Sequence, residues 1–186
     1  MADKEPGFAP ADLTDARNRY EWNSRYPPGA WAQFIFEGFY ILCLLAFIPV
    51  ALFLFWRGEV QEWLGVSTGQ EDTVARLAFA WLGGMLGGTL FAGKWLYHTV
   101  AKGTWHRDRF LWRLLTPHLS AGLAFSLLLL VTSGLIGFLD TDYLRQPTVV
   151  VGLAILFGYF SDNATAALAR LAESILGEPL SQRRSD

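Results

Sequence analysis

Four glycines packed into one apolar run, Gly83, Gly84, Gly87 and Gly88, constrain this chain more than any other feature. At 100° per residue they share one arc of a helix, and Lys94, His98 and Lys102 continue that arc a few turns on. The opposite arc carries Leu82, Met85, Leu86, Leu90, Leu96 and Val100. Each glycine costs a soluble helix about 1 kcal/mol relative to alanine. In a bilayer the backbone bonds within the helix regardless, and glycine lets two helices touch closely. The doubled spacing, Gly83 with Gly87 and Gly84 with Gly88, therefore predicts tight packing between membrane-spanning helices. We expect the second span to associate through it with another copy of the chain.

Composition agrees. Of 186 residues, 52% are hydrophobic and only 17% are charged, against about 25% charged in soluble domains. A net charge of −2 with one basic loop argues against a nucleic-acid partner. Cys43 is the sole cysteine, so no internal disulfide forms, and its apolar setting makes it a packing residue. The first thirty residues are polar and lack an apolar core or cleavage site, so the first apolar run is expected to stay as an anchor.

The chain divides into a polar arm (1–30), a membrane domain (31–177) ending in an amphipathic helix, and a tail (178–186). Within the arm, Thr14 could cap a short helix that Pro27-Pro28-Gly29 would end. A first span is predicted from Phe34 to Phe55, bracketed by Trp31 and Trp56. At 1.5 Å per residue these lie about 37 Å apart, one headgroup level to the other. Pro49 should kink this span, and Glu37 is its only charge. An ionisable residue in a span is a functional candidate by default, but at this depth a structural pair with a basic residue is favoured. The second span should run from Val74 to Thr99. The segment Lys102–Thr116 follows as an interfacial helix, with Trp105, Arg107, Arg109, Trp112 and Arg113 meeting anionic headgroups. The third span is expected from Leu119 to Leu139.

The fourth apolar run, Val149 to Phe160, is too short to cross a hydrocarbon core of about 30 Å alone. Ser161-Asp162-Asn163 looks like a break and a new N-cap, after which Ala164, Ala167, Leu168, Leu171, Ala172, Ile175 and Leu176 recur at helical spacing. Either the helix runs on through Ser161, or Val149–Phe160 re-enters and the later helix returns beside it. Basic residues decide for a full crossing. They collect in the arm (Lys4, Arg17, Arg19, Arg25), after the second span (Lys102, Arg107, Arg109, Arg113) and in the tail (Arg170, Arg183, Arg184). The other two loops hold only Arg57 and Arg145. The positive-inside rule then puts both termini in the cytoplasm. The predicted fold is all-α, an integral membrane four-helix bundle with interfacial amphipathic helices.

Lys94, His98, Lys102 and His106 follow at four-residue steps and should stack along one helix face. They read first as snorkelling cations. The sharper reading is a site for an anion or phosphate headgroup, with Glu37 as counter-charge. His98, His106 and His118 lack a companion carboxylate or cysteine at ligand spacing, so no metal and no cofactor are expected. The sequence shows no nucleophile–base spacing and no phosphate loop, so it does not read as an enzyme. Ser161, Asp162 and Asn163, repeated around a symmetric oligomer, would form a ring of acid and amide groups able to select cations.

The stretches Lys94-Trp-Leu-Tyr-His-Thr-Val-Ala-Lys and Gly158-Tyr-Phe-Ser-Asp-Asn-Ala resemble segments of small bacterial four-span inner-membrane proteins, some encoded beside antiviral defence genes. The resemblance implies a multi-pass protein of the inner membrane and carries over no catalytic residue. Two functions follow as expectations. One is a homo-oligomeric pore or membrane-perturbing effector. The other is a non-catalytic anchor or scaffold subunit that recruits a cytoplasmic protein partner to the lipid bilayer. The glycine arc and the polar break weigh narrowly toward the first.

Overall fold

The computed structural model describes residues 23–67, 69–134 and 142–176. Expectations for the arm before residue 23, for the end of the third span and for the tail from Gly177 lie outside them. Among the described residues the chain is helical throughout, without a strand. The helices are α1 (Pro28–Trp56), α2 (Glu59–Trp63), α3 (Glu71–Lys102), α4 (Phe110–Thr132), α5 (Pro147–Tyr159) and α6 (Ser161–Leu176). Three helical segments, α1, α3 and Arg107–Thr132, are long and apolar enough to cross a membrane, and α5 with α6 would add a fourth.

α3 is the central rod, and its glycines explain why. A Cβ on Gly83 would lie 2.8 Å from Ala154 Cβ, and one on Gly87 would strike the Ile155 carbonyl and come within 2.7 Å of Tyr159 N. Those contacts seat α5 parallel to α3. A Cβ on Gly84 would lie 2.5 Å from Ala124 Cβ, and one on Gly88 would lie 3.0 Å from Pro117 Cα. Those seat α4 antiparallel on the adjacent face. Gly158 of α5 packs back on the Gly84 backbone, where its own Cβ would come within 2.9 Å of Gly84 Cα. The glycine arc is thus filled from within the same chain. The neighbour expected to be a second copy is α4 on one side and α5 on the other. Periodicity shows that a close neighbour exists, and two helices later in the same chain compete for that place at far higher effective concentration.

The core runs the length of α3 in three clusters. Phe79, Ala80, Leu128, Val131, Leu144 and Val150 form one near the acidic Glu71 end. Ile48, Leu82, Met85 and Ala121 form the middle. Phe34, Ile41, Ala92, Leu96 and Trp105 form the third, near Lys102. α1 packs along α3 and is continuous through Pro49. Its outer side leaves Ile35, Phe39, Leu42, Phe47 and Phe53 exposed, a long apolar face that water would not tolerate and lipid would.

Two expected boundaries move. No interfacial helix forms over Lys102–Thr116. α3 ends at Lys102 because Gly103 takes the left-handed conformation, φ 72°, that closes a helix without strain. After a short extended stretch and a single 3₁₀ turn at Arg107–Arg109, α4 begins at Phe110, well before Leu119. Pro117, which those bounds leave between the interfacial segment and the third span, is buried inside α4, where neighbouring helices tolerate it. The fourth run neither continues straight through Ser161 nor folds back beside itself. α5 and α6 meet at 93°, with Phe160 (φ −101°, ψ 38°) at the corner.

Candidate functional site

The basic end of the bundle gathers Glu37, Thr99, Arg113 and Thr116, four of the seven buried polar or charged residues among the described residues. Glu37 on α1 and Arg113 on α4 form a two-pronged ion pair, Nε to Oε2 at 2.6 Å and Nη2 to Oε1 at 2.9 Å. Both side chains are only 4% exposed. Gln33 Nε2 donates to Oε1 at 3.1 Å and Trp105 Nε1 to Oε2 at 3.4 Å, so the carboxylate is satisfied on both oxygens. Arg113 Nη2 also donates to the His106 carbonyl at 3.2 Å, and the guanidinium lies 5.3 Å from the Trp105 ring centre. Trp105 stands edge-on to Phe34 and Tyr26. Tyr26 Oη in turn donates at 3.2 Å toward the Thr99 and Val100 carbonyls at the end of α3, which also accept from the Thr104 and Gly103 N–H groups. One carboxylate therefore ties the lead into α1, the end of α3, the connector and the start of α4.

This placement corrects three expectations. Glu37 pairs with a basic residue as favoured, Arg113, and so is not the counter-charge of the Lys94 face. Arg113 and Trp105 are buried, not in a headgroup collar, while Arg107, Arg109 and Trp112 are exposed. The reason is the early start of α4, which brings Arg113 to the depth of Glu37. His106 leaves the Lys94–Lys102 face, because the helix that would have carried it ends at Lys102.

Lys94, His98 and Lys102 do share one face of α3. They line a groove of about 530 Å³ with Phe91, Trp95, Thr99, Thr104, Tyr159 and Phe160. Lys94 Nζ donates to Tyr159 Oη at 3.2 Å and lies 5.9 Å from that ring's centre. The groove exists because α5 is short. It runs out beside Phe91, where Tyr159 meets the Phe91 ring, and α3 continues about 16 Å beyond it. Tyr159 carried no sequence signal as a partner, since the pairing depends on where α5 stops.

A second concavity, about 580 Å³, opens where α6 leaves α5. Thr116, Ser120, Ser126, Ser161, Asp162 and Thr165 contribute to its wall, and Asn163 is exposed nearby. Thr116, Ser126 and Thr165 return their hydroxyls to carbonyls of their own helices. The Ser120 hydroxyl is buried without a partner among the described residues. His118 Nε2 lies 2.9 Å from Tyr40 Oη, itself 3.1 Å from the Leu114 carbonyl. Among the described residues no three of His, Cys, Asp and Glu come close enough to hold a metal ion. Comparison of the chain with protein-family models, with curated proteins and with solved structures finds no match.

Proposed function

We propose that the protein is a non-catalytic scaffold or accessory subunit of a bacterial inner membrane, multi-pass, with both ends cytoplasmic. Its basic end would face the cytoplasm and recruit a soluble partner there. One observation carries this reading: the bundle closes on itself. The four glycines of the α3 arc are spent on α4 and α5, and the interior includes Ile48, Ala80, Ala92, Ala121 and Ala124. The buried hydroxyl at mid-depth on α3, Thr89, returns to the Met85 carbonyl. A single copy so packed offers ions no hydrated path, whereas an anchor needs none. Purified protein reconstituted in planar bilayers should pass no more current than empty membrane. Steady unitary conductance would reject the scaffold reading.

The second reading is the oligomeric pore or membrane-perturbing effector, with a role in defence. It is favoured by the polar cleft at Ser120, Ser126, Ser161, Asp162 and Thr165, on the outside of the bundle where lipid is poor company. In a ring of copies that surface would face a common pathway. Copy number separates the two: a single copy within a larger complex supports the scaffold, a symmetric ring the pore.

A further inference from the structure

The groove on α3 combines features that a snorkelling collar does not need. Lys94, His98 and Lys102 all line it, and among the described residues no carboxylate pairs with any of them. Glu37, the nearest candidate counter-charge from the sequence, is fully engaged by Arg113, Gln33 and Trp105. Lys102 sits in the last turn of α3, where the helix dipole accounts for a cation. Lys94 lies two turns earlier and is positioned against Tyr159. The rest of the lining is largely aromatic: Phe91 and Trp95 beside the cations on α3, and Tyr159 and Phe160 at the end of α5. Cations and rings in one groove match an amphiphile with an anionic head.

Spacing narrows the head. Lys94 and Lys102 are separated by about 12 Å along the helix axis, too far for one phosphate to meet both with Lys94 held at Tyr159. We propose that the groove binds one phospholipid whose headgroup carries two phosphates. Lys94 takes one phosphate, Lys102 the other, and His98 lies between them. The headgroup fills the space that the short α5 leaves open, and the acyl chains leave it past Phe91, Trp95 and Phe160. Basic pockets between helices at the cytoplasmic side of a membrane suit such headgroups. The inference requires the chain to lie in a bilayer and holds for the scaffold and the pore alike.

Native mass spectrometry of the full chain, released from an uncharged detergent, tests it. The probes are diphosphatidylglycerol, phosphatidylglycerol, phosphatidylcholine and inorganic pyrophosphate. One diphosphatidylglycerol should stay bound per chain, with phosphatidylglycerol retained about tenfold less and pyrophosphate not displacing the lipid. Lys94→Gln/Lys102→Gln should lose about tenfold in diphosphatidylglycerol retention while its lipid-free melting temperature matches the parent's. Arg107→Gln/Arg109→Gln, which removes the same charge from the surface nearby, should retain the lipid. Equal loss in both double variants would overturn the site, since any cation would then serve. Equal retention of phosphatidylglycerol would overturn the two-phosphate head, and tight pyrophosphate binding that expels lipid would assign the site to a soluble diphosphate. A chain that is soluble without detergent and retains no lipid at all overturns the membrane placement along with the site.

Discussion

Breaking the Glu37–Arg113 pair is the sharpest stability test this structure offers. At 4% exposure for each partner, the pair lies outside the regime of surface salt bridges, which contribute about 0–1 kcal/mol. Glu37→Leu leaves a guanidinium buried beside Trp105 with the His106 carbonyl as its remaining acceptor. Arg113→Met leaves a carboxylate served only by Gln33 and Trp105. Removing one member of a buried pair costs about 3–5 kcal/mol, because the other charge stays behind. For a chain of this size each kcal/mol moves Tm by about 2–4 °C, so either single variant should fall by about 6–20 °C. The double variant, Glu37→Leu/Arg113→Met, buries no stranded charge and should lose only about 1–2 kcal/mol, since apolar replacement of a buried pair is often close to neutral. The double-mutant cycle should therefore show coupling of at least about 3 kcal/mol. Thermal unfolding in one fixed detergent, followed by tryptophan fluorescence, reads all four proteins. Single variants that melt within about 4 °C of the parent would refute the pair's burial. A double variant as unstable as the two singles summed would refute the coupling.

Three further outcomes can be stated. Gly87→Ala should destabilise by about 3 kcal/mol, at the upper end for overpacking, because its Cβ meets backbone of α5 and not a movable side chain. Gly122→Ala, with nothing within 4 Å of the added Cβ, should stabilise by about 1 kcal/mol through helix propensity; equal melting of the two variants would contradict the α3–α5 contact. Ser120→Ala removes a buried hydroxyl that has no partner among the described residues, so Tm should hold or rise by a few degrees, and a fall beyond about 4 °C would mean the hydroxyl is bonded. In a Cys43→Ala background, a membrane-impermeant thiol reagent applied to intact cells should label Ser67→Cys and reach Arg109→Cys only after lysis. The reverse pattern would invert the proposed orientation.

How much was legible depended on whether the signal was local. Span number, three or four, followed from apolar run length, but the stop at Gly103 did not, because the sequence reads as helix on both sides of it. The break near Ser161 followed from three polar residues interrupting an apolar run. The glycine arc announced a close neighbour correctly in kind, but its identity needed the fold. The start of α4 was misplaced, because the basic, Trp-rich segment ending at Thr116 reads as a separate interfacial helix, whereas α4 runs through Pro117 and packs it against Gly88. That single shift moved Arg113 and Trp105 from the surface to the interior.

The sequence by itself determined an all-helical chain with three or four segments able to cross a bilayer, and a lone carboxylate that had to find a cation. Those properties are set by residue type, by spacing along one helix and by the cost of burying a charge. Only the tertiary structure decided which cation, which helices fill the glycine faces, and that the end of α5 lies level with Phe91, leaving a cationic groove beside Tyr159. These are relations between helices far apart in the chain. They depend on the relative depth and direction of each rod, and helical periodicity, which repeats every 3.6 residues, encodes neither.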